Sequence, residues 1–134
     1  MKKVKVVCAG TFDHLHPGHV NFLKQAKALG DELIVIIARD ETVKKIKGFL
    51  PTDNERQRRN NVEDTGVPDF VVLGNLDTEL FQILEELQPN IIALGYDQRV
   101  SEEEIKKRCP DCRIVRLLSF SPEKYKSSFY RNNN

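Results

Sequence analysis

Apolar and polar residues fall along this chain in blocks of two textures. Residues 4–9, 32–38, 70–73, 90–94 and 113–118 are short runs rich in Val, Ile and Leu. The second, Glu-Leu-Ile-Val-Ile-Ile-Ala, is too continuous for a strand with one wet face and predicts a strand buried on both sides of a parallel sheet. Between the runs lie stretches of helical spacing: residues 20–29, closed by Gly30, and residues 78–87, stopped by Pro89. Thr52 with Glu55 and Ser101 with Glu104 have capping-box spacing and predict two further helix starts. Residues 39–51, polar and containing Lys44, Lys45, Lys47 and Gly48, read as a loop. Strands alternating with helices imply a doubly wound parallel α/β sheet. Right-handed crossovers then place every strand-to-helix loop on one edge, where such sheets bind ligands. That rim would collect residues 10–19, 39–48, 95–98 and 119–128.

Composition narrows the reading without changing it. With 134 residues, 40% apolar and 31% charged, the chain suits one globular domain over residues 1–134, fraying over 130–134. A net charge of +1 gives no general pull toward nucleic acid or an anionic membrane, so an anion site must be local. No apolar run reaches the roughly 20 residues that span a bilayer. Met1-Lys2-Lys3 leads straight into a strand with no signal-peptide pattern, and the expectation is a cytoplasmic protein. Three cysteines do not suggest a disulfide framework. Cys8 reads as core, and the lone Cys109-Pro110-Asp111-Cys112 lacks a second ligand pair for zinc, so those thiols read as structural or merely exposed.

The candidate chemistry lies where the first strand hands over to the first helix: Gly10-Thr11-Phe12-Asp13-His14-Leu15-His16-Pro17-Gly18-His19. Helix N-termini present unpartnered N–H groups and the positive end of the macrodipole. Pro17 fits the first turn, Gly18 lets a ligand approach the backbone, and His16 and His19 share a face. His14 falls between these positions and reads as a bystander.

This stretch resembles the signature of the HxGH nucleotidylyltransferases, those similar to glycerol-3-phosphate cytidylyltransferase. The resemblance implies a strand order of 3-2-1-4-5 and transfer of a nucleotidyl group to a phosphate acceptor with release of pyrophosphate. It implies nucleotide contacts for Thr11, Phe12, Asp13, His16, Pro17, Gly18 and His19, with His16 and His19 catalytic. It also implies a phosphate-binding lysine in the second rim segment; spacing leaves Lys44, Lys45 and Lys47 open, with Lys44 taken first and Lys47 second. Glu55-x-x-Arg58 resembles the helix motif that follows, read either as a surface ion pair or as a phosphate contact through Arg58. After the fourth strand Gly95 permits backbone approach and Asp97 reads as a turn cap or a hydrogen-bond acceptor for a ribose or base; the resemblance implies nucleotide contact there. Lys126-Ser127-Ser128 resembles a Ser/Thr-rich phosphate motif, and Tyr125 beside it reads either as a ring that stacks on a base or as an ordinary exposed loop residue. No residue is assigned as a metal ligand; Mg²⁺ would arrive with the triphosphate. The runs 38–45 and 91–98 resemble the archaeal FAD synthase branch, which implies ATP and FMN as substrates, and the family implies a homodimer. A cytidylyltransferase using CTP and glycerol 3-phosphate or a similar phosphate ester is the alternative enzyme. A non-catalytic nucleotide-binding module is the alternative of another class.

Overall fold

The structure, a computed structural model, describes residues 3–74, 80–95, 98 and 100–117. Its strands are β1 (Lys5–Gly10), β2 (Glu32–Ile37), β3 (Phe70–Leu73), β4 (Ile91–Gly95) and β5 (Arg113–Leu117). All pair in parallel, in the order β3-β2-β1-β4-β5. Among the described residues the helices are α1 (Pro17–Lys27), α2 (Asp40–Lys47), α3 (Glu55–Asp64), α4 (Leu80–Leu87) and α5 (Glu102–Arg108).

Successive strand residues face opposite sides of a sheet, and here both sides are covered. Val6, Cys8, Leu33, Val35 and Ile37 pack with Leu23 and Ala26 of α1 and Val62 of α3. Val7, Ile34, Ile36 and Ile92 pack on the other face with Leu84 of α4 and Ile105 of α5. The continuous apolar texture of β2 has this cause: Leu33 to Ile37 are all buried. Each such side chain contributes roughly 1.5–3 kcal/mol by leaving water.

The sheet opens where the site lies. β1 pairs with β2 over its whole length but with β4 only at Val6↔Ile91 and Val7↔Ile92. Toward their C-terminal ends β1 and β4 therefore part, which is the switch-point crevice of this fold class. Gln98 spans the gap. Its Nε2 donates to the Ala9 carbonyl at 2.9 Å and its Oε1 accepts from the Gly95 N–H at 3.0 Å.

Four sequence expectations are corrected. First, α1 begins at Pro17 and ends at Lys27, so the whole Pro17-Gly18-His19 run is helical. Second, the lysine-bearing segment is helix α2, not a loop. Its first N–H groups get no help from the N-cap residue, Arg39; instead Glu55 Oε1 accepts from the Asp40 N–H at 2.8 Å. Third, the α3 cap is Asn54, whose Oδ1 accepts from the Gln57 N–H, so Thr52 and Glu55 form no capping box. Fourth, Glu55 and Arg58 do not pair with each other; Glu55 meets Arg39 and Arg58 meets Asp40. Ser101 does cap α5, accepting from the Glu104 N–H. Cys109 and Cys112 are free thiols buried against the α4–α5 face, so they are structural rather than exposed.

Candidate active site

His16 is the N-cap of α1, in extended backbone, and it and His19 form a capping box. His16 Nδ1 accepts from the Gly18 N–H at 3.0 Å, and His19 Nδ1 accepts from the His16 N–H at 3.2 Å. The His19 and Val20 N–H groups both turn back to the His16 carbonyl. So the free N–H groups expected at this helix start are engaged, and the donors left for an anion are on the rings. An Nδ1 that accepts carries no proton, which puts the hydrogen of each neutral imidazole on Nε2. The two rings stack, centroids 3.9 Å apart.

Their charge state follows from burial. Desolvation first, then the neighbouring His16, pushes the His19 imidazole down to about 4, with Asp13 opposing. Desolvation lowers His16 as well. Near neutral pH the pair presents two Nε2–H donors without a formal charge.

Around the pair stands a scaffold of residues that sequence reasoning placed differently. Phe12, only 5% exposed and at φ 54°, packs its ring on His19 and Phe22, so its effect on a ligand runs through His19. Asp13 holds the chain that precedes α3: its two carboxylate oxygens accept from the Thr52 and Asp53 N–H groups at 2.8 and 2.9 Å. Desolvation pushes this carboxyl up, but those two bonds, with His14 and Arg58 nearby, outweigh it and hold the group below its ordinary value. An ionised carboxylate so engaged is a strap rather than a phosphate donor. His14 Nε2 lies 2.9 Å from Thr52 Oγ1, on the same strap.

Arg58 is the residue the sequence hid. It is fully buried. Its Nε donates to the Asp53 carbonyl, Nη1 to the Thr11 carbonyl and Nη2 to Asp40 Oδ1, at 2.9, 2.9 and 2.6 Å. One guanidinium therefore ties the β1 loop to the starts of α2 and α3. In the sequence it stood in the Glu55-x-x-Arg58 motif, read as a surface ion pair or a phosphate contact, and neither reading named these three partners.

Beside this knot lies a pocket of about 220 Å³, bounded by Gly10 and Thr11 of the β1 loop, Gly74 after β3, Gln98, and Thr42 and Ile46 of α2. Thr42 Oγ1 is shut off from solvent and has no hydrogen-bond partner among the described residues. The pocket fixes which face of α2 matters. At about 100° per residue, Lys44 points about 170° away from the Arg39, Thr42 and Ile46 face, whereas Lys45 and Lys47 flank it. All three lysines are exposed. Gly95 ends β4 with its N–H bonded to Gln98 and its carbonyl accepting from Arg116. Asp97, Tyr125, Ser127 and Ser128 lie outside the described residues. The structure therefore brings together Thr11, His16, Pro17, Gly18, His19 and the α2 lysines on one rim, and moves Phe12 and Asp13 into its support.

Comparison with known proteins agrees with this geometry. Residues 7–133 match the family model described as cytidylyltransferase-like. The chain is 48% identical over 121 residues to the FAD synthase of Aciduliprofundum boonei, covering 87% of this chain and 80% of that one. It is 43% identical over 130 residues to the FAD synthase of Thermococcus sibiricus, covering 94% and 85%. Among solved structures, the lipopolysaccharide core biosynthesis protein of Thermoplasma volcanium superposes with a TM-score of 0.81 at 35% identity, over 89% of this chain and 99% of that one.

Proposed function

The chain belongs to the cytidylyltransferase-like family, and from that premise we propose that it is an FAD synthase, joining ATP and FMN to give FAD and pyrophosphate. Its similarity over most of its length to archaeal FAD synthases supports that substrate pair over CTP with a small phosphate ester. The observation that carries the mechanism is the stacked His16–His19 pair with both Nε2–H groups left free by the capping box.

An oxygen of the FMN phosphate forms a bond to the α-phosphorus of ATP. The bond from that phosphorus to the oxygen bridging to the β-phosphate breaks, and pyrophosphate leaves with the electron pair. The attacking phosphate is already ionised near pH 7, so no general base is needed. The demand is for donors fixed in advance where negative charge gathers. His16 and His19 meet it with Nε2–H groups on the α- and β-phosphates; being neutral and anchored through Nδ1, they need no reorientation. Lys47, or Lys45 on the other flank of the pocket-lining face, meets the leaving pyrophosphate as a mobile point charge. Gly18, carrying no side chain beside the rings, leaves room for phosphate oxygens.

Among the described residues no group of three or more His, Cys, Asp or Glu side chains could hold a metal ion. These residues suit a divalent cation carried by the phosphates, in our reading Mg²⁺, which would neutralise part of the triphosphate charge. We also propose a cytoplasmic location and, from the resemblance, a homodimer, the oligomer checked by sedimentation velocity. No described helix is long and apolar enough to cross a membrane.

The test is pyrophosphate release with a divalent cation under reducing conditions, crossing ATP and CTP with FMN and glycerol 3-phosphate. Release with ATP and FMN, and FAD as product, is the expected result. Release only with CTP would overturn the substrate assignment, and nucleotide binding without release in any mixture would overturn catalysis.

A further inference from the structure

Three large apolar side chains stand in solvent within five residues of one another: Ile46 at 73%, Phe49 at 63% and Leu50 at 57% exposure. Ile46 lies in the last turn of α2 between Lys45 and Lys47, and Phe49 and Leu50 follow the Gly48 stop. Ile46 is also part of the pocket wall, so the strip and the pocket are continuous. Inside that wall sits the unpartnered Thr42 hydroxyl. An orphaned buried hydroxyl costs free energy until a ligand supplies its bond, and bare apolar side chains cost free energy until something covers them. Thr42 and Ile46 share the pocket-lining face of α2, and Phe49 and Leu50 come just past the end of that helix, beside the cations.

Size says how a ligand would use both. A pocket of about 220 Å³ is smaller than the roughly 300–1,000 Å³ that encloses a small-molecule ligand. A nucleotide-sized acceptor entering it must continue out over the rim at Ile46. FMN has the matching chemistry: a flat apolar ring system with a polar edge, tethered to a phosphate. Glycerol 3-phosphate has the phosphate and nothing to cover the strip. We propose that Ile46, Phe49 and Leu50 form the platform on which the isoalloxazine ring of FMN lies, with the Thr42 hydroxyl, covered in this structure, turning about its Cα–Cβ bond into the pocket to bond the ring's polar edge. This is where the protein distinguishes a flavin phosphate from a small phosphate ester. The proposal rests on FMN being the acceptor, and an aromatic ring at Phe49 can take the offset geometry that stacked rings prefer.

The experiment separates binding from turnover. FMN is titrated into the full-length protein by its own fluorescence, and FAD formation from ATP and FMN is measured independently. The F49S/L50S double variant and Thr42→Val are compared with Phe70→Ser, an equally bare side chain on the edge strand β3 at 54% exposure. The strip is in solvent, so its replacement leaves the core intact. We expect the double variant to raise the Kd and KM for FMN at least about tenfold, Thr42→Val about threefold, and Phe70→Ser less than about twofold, with the KM for ATP held within about twofold throughout. An unchanged FMN Kd in the double variant overturns the platform. So does a changed sedimentation coefficient with FMN affinity intact, which assigns the strip to a second copy of the chain. Should the wild type bind FMN in a strip-dependent way yet form no FAD, the catalytic reading falls and the platform stands. Should the wild type not bind FMN, the platform falls.

Discussion

Protonating either imidazole at Nδ1 would break a bond that the start of α1 uses, and this links the state of two side chains to the geometry of the site. Both imidazoles should be neutral at pH 7, and His19 should stay so well below it. In a ¹⁵N titration His19 is expected to turn near pH 4, with both rings in the Nε2–H tautomer at neutrality; an Nδ1–H signal from either ring would contradict the donor role. Replacing either ring by alanine should lower turnover by about 10²–10³, as for other preorganised donors, and retention of more than about a tenth of wild-type rate would remove the pair from the chemistry. Arg58 belongs to a different class. Its replacement by Met strands Asp40 and the Thr11 and Asp53 carbonyls, and should cost about 3–5 kcal/mol in denaturant unfolding, as breaking a buried ion pair does. The histidines were legible because spacing on a helix start is local. Arg58 was not, because its partners lie at positions 11, 40 and 53, and a polar run does not reveal which of its arginines turns inward.

Among the elements, α2 shows most clearly what periodicity misses. It carries one buried residue, Val43, and its N-terminal cap comes from Glu55, fifteen residues along the chain. No window centred on residues 40–47 contains the group that starts the helix. Its end is more local, since Gly48 takes φ 90° and its N–H returns to the Lys44 carbonyl, an αL stop that the Lys-Gly pair could have suggested. Reading the segment as helix reverses the order of the lysines. Lys47→Ala should reduce the rate of FAD formation at least about tenfold while Lys44→Ala changes it less than about twofold, a difference of roughly 1 kcal/mol or more in transition-state binding. Equal losses would mean that the pocket-facing side of α2 does not select the cation. The β-elements were far easier: β3 is found as expected, β1 and β4 are displaced by one residue, β2 is one residue shorter, and β5 starts as expected at Arg113, because short Val- and Ile-rich runs between turn residues leave little to choose.

For the molecule as a whole, the alternation of elements was sufficient to read a doubly wound parallel sheet, whereas the strand order came from the resemblance. Register was beyond reach, and with it the parting of β1 from β4 that Gln98 bridges. Whole-chain stability should carry the marks of the half-buried His19 and the buried Cys8. His19 falls to about 4 in the fold, so the unfolded chain binds the extra proton first and stability declines as pH drops from its ordinary 6.5 toward 4. Burial pushes the Cys8 thiol from 9.0 up to about 12, so the unfolded chain loses its proton first and stability declines as pH rises through that interval. Denaturant midpoints should therefore form a plateau between about pH 6.5 and 9, and Cys8→Ala should flatten the alkaline limb, with the raised Cys109 and Cys112 leaving a residual slope. A Cys8→Ala profile identical to wild type above pH 9 would place the alkaline loss elsewhere.

Each ring of the histidine pair gives one nitrogen to the helix and keeps the other for the substrate, so heredity can separate the two duties. Asparagine ranks among the best N-cap residues, and its carboxamide oxygen can accept the Gly18 N–H that His16 Nδ1 now receives. It offers nothing where Nε2 stood. His16→Asn should leave α1 and the pocket standing while turnover drops by about 10²–10³. A single base change in the histidine codon produces it. An enzyme of this design lies one mutational step from a folded, ligand-competent protein without chemistry, and descendants that only bind nucleotide would be expected to carry that asparagine.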